Sequence, residues 1–114
     1  MKNIRMCINQ NINVKKIIID EVAKLFCDEG KYFFKTYSVD DKQICVFVSE
    51  DYSFSTNSKL TITLVSEAKS DQTDVNILVS GGKVGFVFET SYGSEKRRAK
   101  KIINIFSNYG FKEN

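Results

Sequence analysis

The 114-residue chain is 42 % hydrophobic and 27 % charged, with a formal net charge of +3, which places it among single globular domains and away from disordered or fibrous chains. It contains no His, Pro or Trp, so the commonest general base and metal ligand is missing, and Ser–His and Cys–His nucleophile systems are excluded. Fourteen Lys against three Arg, with abundant Ile and Asn, is the usage of an AT-rich genome, and a bacterial source is expected.

Taken in chain order, Asn3 to Asn9 reads as a first strand with Ile4, Met6 and Ile8 on one face. Asn11 or Asn13 then caps a helix from Val14 to about Glu29. Its apolar arc (Val14, Ile18, Val22, Leu25 and Phe26, with Ile17 and Ile19 at the edges) is wider than an ordinary surface stripe, and Gly30 ends it. Alternating segments follow: Tyr32 to Ser38, Gln43 to Ser49, Lys59 to Ser66, Asp74 to Val79 and Val84 to Thr90. Asp40-Asp41 makes one turn, and Gly81-Gly82 is expected to be a two-residue hairpin. A second helix runs from about Ser94 to Tyr109, buries Ala99, Ile102, Ile103 and Phe106, and stops at Gly110. The order is β-α-β-β-β-β-β-α: one α+β domain over residues 1–114, a single antiparallel sheet of about six strands with two helices.

Phase assigns Phe33, Tyr37, Val39, Ile44, Val46 and Val48 to the same face as Leu60, Ile62 and Leu64. One core of Phe86, Phe88, Leu60, Ile62, Val46, Leu25 and Phe106 is expected. The opposite face would then carry Tyr32, Phe34, Cys45, Phe47, Leu78 and Val87, too apolar for a face left in water. Tyr32, Phe34, Phe47 and Val87 are therefore candidate interface residues, and a homodimer is the expected partner arrangement.

The chemical inventory is thin. Asp40-Asp41 and Glu50-Asp51 read as solvated carboxylates at strand ends. Cys7, Cys27 and Cys45 lack zinc spacing and read as reduced thiols in small core positions. The glycines before Lys83 lack the spacing of a phosphate loop. No cofactor, metal or catalytic residue is expected, and an enzyme is disfavoured. Basic residues concentrate at two helix starts: Lys15 and Lys16 in the first, and Lys96, Arg97, Arg98, Lys100 and Lys101 in the second. Strand counting would make the helices parallel and put both starts at one pole, a candidate anion site. Plain solvation is the favoured reading of the second cluster, since Arg97, Lys100 and Lys101 lie opposite the apolar stripe. A pI near 8.7 and the lack of a recognition motif argue against nucleic acid. No stretch of signal-peptide length follows Met1, and the longest apolar run, Ile44 to Val48, is too short to span a bilayer. A cytoplasmic location without membrane partners is expected.

The run Lys59-Leu60-Thr61-Ile62-Thr63-Leu64-Val65, the segment Val75 to Gly82, Phe86-Val87-Phe88 and the stretch Thr90 to Glu95 resemble an uncharacterised family of small bacterial domains of unknown function. The resemblance covers about forty residues of the C-terminal half. It implies a small α+β fold and carries no active site with it. The architecture also resembles a reduced helix-grip layout, a sheet gripping a C-terminal helix. The function expected is a non-catalytic binding or self-association module. A carrier of a small apolar or anionic ligand between sheet and C-terminal helix is the alternative.

Overall fold

The computed structural model describes residues 2–26, 32–53, 58–83 and 92–114. Its strands are β1 (Lys2–Ile8), β2 (Tyr32–Val39), β3 (Lys42–Ser53), β4 (Ser58–Ala68), β5 (Thr73–Lys83) and β6 (Lys112–Glu113). Between β1 and β2 lies one continuous helix, α1, made of Val14–Ile17, a π turn Ile18–Val22, and Ala23–Phe26. Helix α2 (Tyr92–Asn108) separates β5 from β6. The strands form one antiparallel sheet in the order β2-β3-β4-β5-β1-β6. The α+β class, the single sheet and the two helices are those expected from the sequence.

Register decides which side chains lie under the helices. Phe34 pairs with Phe47, Phe47 with Leu64, Leu64 with Ile77, and Ile77 with Ile4. Residues opposite one another in a ladder share a face, so this row is buried together. Phe47, Leu64 and Ile77 are completely inaccessible, as are Ile18 and Val22 of α1 and Ile102 and Phe106 of α2. Tyr32 and Phe34 sit against the same core, with the Tyr32 and Phe47 rings 5.3 Å apart. Leu60, Ile62, Ala99 and Phe106 are core residues, as expected.

The phase expected for β2 and β3 is inverted. Val46 pairs with Val65 and points away from the helices, while Phe47 points toward them. Both faces of these strands are apolar, so alternation alone carries no preference, and the ladder to β4 makes the choice. Leu25 is 50 % exposed rather than buried. The π turn just before it adds a residue to the helical repeat, so Ala23 takes the inward position and Leu25 turns out. Phe86, Phe88 and the strand expected at Val84 to Thr90 lie outside the described residues, as do Cys27 and Gly30.

Gly81 and Gly82 are not a hairpin. β5 runs straight through them, Gly81 pairing with Leu60 and Gly82 with Lys59. A Cβ on Gly81 would stand 2.4 Å from Leu60 Cδ2 and 2.7 Å from the Lys59 carbonyl oxygen. Glycine is needed there for close approach. β3 likewise continues past the expected turn at Glu50-Asp51, with Glu50 opposite Thr61 in the ladder and its carboxylate in an ion pair with Lys59 at 3.2 Å. The Asp40-Asp41 turn is present, with Asp40 at φ 54°.

Gly110 (φ 98°) stops α2 as expected. Its N–H donates to Ser107 O at 3.0 Å, and Phe111 N–H donates to Phe106 O at 3.2 Å, the paired bonds of a Schellman end. Phe111 then turns inward, edge-on to Phe106 with ring centroids 5.2 Å apart. β6, which alternation did not reveal, pairs with Met6 and Cys7 of β1. Because β6 runs antiparallel to β1, α2 ends where β1 ends, near the point at which α1 begins. The helices therefore run in opposite senses, with the Tyr109 hydroxyl donating to Glu21 Oε2 between them.

Candidate functional site

Side chains on the helix-facing layer shrink toward one end of the sheet. On β2, Tyr32 and Phe34 give way to Thr36 and Ser38; on β3, Phe47 gives way to Cys45 and Gln43; on β4, Leu64 gives way to Ser66 and Ala68. Small side chains cannot fill the layer beneath the start of α1, and a cleft of about 620 Å³ opens there. Its walls are the loop Asn11 to Asn13 with Val14 and Lys15 above, the β2–β3 turn at Asp40 and Asp41 opposite, and Cys45 and Ser66 below. The loop above is pinned: Asn11 Nδ2 donates to Lys69 O at 2.6 Å, and Ile12 N–H donates to Thr73 Oγ1 at 3.0 Å.

Three groups in this cleft are chemically unusual. Cys45 and Ser66 are paired in register and both are almost wholly buried. Burial pushes the Cys45 thiol above its ordinary value, against the opposing pulls of the Ser66 hydroxyl and the Lys15 charge. Ser66 Oγ nevertheless makes no well-aligned hydrogen bond, which it shares with Ser49 Oγ deeper in the layer. Buried polar groups are nearly always satisfied, so a hydroxyl in this state on a cleft floor is a group waiting for a partner. At the cleft's rim, Asn13 occupies the cap position of α1 without a side-chain bond to the helix, and the first turn contains no acid. The capping role expected of Asn11 or Asn13 is thus not filled.

The candidate anion-binding residues Lys15, Lys16, Lys96, Arg97 and Arg98, expected to share a pole, are divided. Lys15 lies on the cleft and Lys16 is exposed beside it. Lys96, Arg97 and Arg98 begin the opposite end of a 17-residue helix, roughly 25 Å in length, that finishes near α1's start. Strand counting took the direction of α2 from what precedes it, whereas β6, returning antiparallel beside β1, sets the end of α2 near the end of β1. The candidate interface set is also displaced. Phe47 lies in the core on the helix-facing side, Phe34 and Tyr32 are partly buried against that core, and Val87 lies outside the described residues.

The face that no described helix covers carries Phe33 (54 % exposed), Tyr37 and Val39 on β2, with half-buried Ile44, Val46, Val48, Val65 and Leu78 beyond them. Ion pairs flank this apolar field: Arg5–Asp74 at 3.1 Å, Lys42–Glu67 at 3.5 Å and Lys59–Glu50 at 3.2 Å. Lys35, the remaining cation on these strands' outward positions, lies over the Tyr37 ring at 5.3 Å. An apolar outer face was legible in the sequence; which residues form it was not. No helix among the described residues is long and apolar enough to cross a membrane.

No curated protein matches the chain significantly. A family model does match, over residues 13–110, and so takes in α1, β2 and β3 as well as the C-terminal segments that carry the resemblance in the sequence. That match runs from the cap of α1 to the glycine that ends α2, and the chain accordingly belongs to the family of unknown function DUF6054.

Proposed function

We propose that this domain is a non-catalytic self-association module of the bacterial cytoplasm, in which two copies bury their open sheet faces against each other. The observation that carries this reading is the apolar field on β2 to β5. Its apolar residues concentrate on β2 and β3, with Val65 and Leu78 extending them onto β4 and β5, and contiguous exposed apolar surface marks association sites. The flanking charges are compensated within the chain, so a second copy meets a nearly neutral rim. This favours a self-complementary contact over a highly charged partner. Lys35 on the β2 edge strand disfavours pairing through that edge, and in face-to-face stacking at about 10 Å its ammonium reaches solvent from the border of the stacked face. The space beneath α2 is filled by Ile102, Phe106 and Phe111, which argues against an apolar ligand carried there.

Sedimentation tests the proposal. The wild type should be a dimer in the micromolar range, burying about 1,200 Å² or more in total. Val46→Glu puts a charge in the centre of the field without touching the core, and a folded monomer is the expected product. A wild type that sediments as a monomer at high micromolar concentration would falsify the reading.

A further inference from the structure

The cleft at the start of α1 has a charge pattern that selects its ligand. Lys15 stands on one side with the uncapped helix start, and Asp40 and Asp41 stand on the other. Lys42, the second lysine of the rim, is engaged by Glu67. One available cation faces two carboxylates, so a simple anion such as phosphate would be repelled from half of the cleft. A purely apolar molecule would desolvate Thr36, Ser38, Gln43 and the acids without compensation. At about 620 Å³ the cleft has the dimensions of a small-molecule site.

We infer that this cleft binds a small zwitterion, with a carboxylate at Lys15 and the α1 start and an ammonium at Asp40 and Asp41. Ser66 Oγ, 1 % exposed and without a well-aligned hydrogen bond beside the Cys45 thiol, bonds a polar atom of the ligand from below. The hydroxyl is the independent sign of a ligand. Left unpaired it weakens the fold, and it faces the space where a ligand would sit. The inference concerns the helix-covered face and stands whether the protein is a monomer or a dimer.

Three probes of equal length separate the charges: ε-aminocaproate, caproate and hexylamine. In an amide NMR titration of the full chain, ε-aminocaproate should give saturable shifts around Lys15, Asp41 and Ser66, at concentrations at least ten-fold below either singly charged probe. Lys15→Met and Asp40→Asn should each weaken that binding ten-fold or more; Asn tolerates the left-handed backbone at position 40, so folding is retained. Ser66→Ala should melt no lower than wild type yet bind more weakly. Ser49→Ala removes an equally orphaned hydroxyl away from the cleft and should leave binding unchanged. The inference is overturned if ε-aminocaproate gives no saturable shift, if caproate binds as tightly, or if the Lys15 and Asp40 variants bind like wild type.

Discussion

Phe47→Ala is expected to cost about 3–5 kcal/mol, a large share of the roughly 5–15 kcal/mol that holds an ordinary domain folded. Phe47 is wholly buried, stacks near Tyr32 and lies between Phe34 and Leu64 in the ladder, so truncation leaves a cavity bordered by strands that cannot collapse into it. Val46→Ala, one position away on the open face, should change stability by well under half of that. Urea unfolding of the two variants side by side reads the difference directly. Equal losses, or a larger loss at Val46, would mean that β3 is turned over relative to β4 and that the helices cover the other face.

Gly81→Asn should destabilise by roughly 1–3 kcal/mol, the usual range for forcing atoms into a filled space. The Lys59 carbonyl is backbone, and Leu60 is wholly buried, so neither obstacle swings aside. Asparagine makes the substitution diagnostic. In a glycine hairpin it would be among the best-tolerated replacements, because it accepts positive φ. In a crowded extended strand it fails for its Cβ alone. A melting temperature within a degree of wild type would restore the hairpin and end β5 before Lys83.

The strands that sequence phase placed correctly are those whose two faces differ. β4 sets Leu60, Ile62 and Leu64 against Thr61 and Thr63, and β5 sets Val75 and Ile77 against Asp74 and Asn76. β2 and β3 offer Tyr32, Phe34 and Phe47 on one side and Phe33, Val46 and Val48 on the other. Hydrophobicity is balanced there, and the decision belongs to pairing partners that a linear pattern does not contain. The π turn left no mark in composition, and its rotation of Leu25 could not be read. The antiparallel sense of the helices depends on where α2 ends, which the two-residue β6 fixes, and so short a strand has no alternation to detect. The cleft was latent in the decline from Phe47 to Cys45 and from Leu64 to Ser66. That decline becomes visible only when the face is known.

The position of β1 governs how the chain assembles. β2 to β5 form a meander of neighbours, whereas Ile4 must find Ile77, and both partners of β1, β5 and β6, lie far downstream. Joining segments so distant costs closure entropy before any contact offsets it, so the meander should gain protection first and β1 last. Pulse-labelled amide exchange during refolding would show β3 and β4 protected ahead of β1; simultaneous protection of all three would contradict this order. Until β1 docks, β5 keeps an open edge able to pair with another chain. The sheet's most N-terminal strand is thus the last to be seated, and the interval before it arrives is when the domain is most exposed to misassembly.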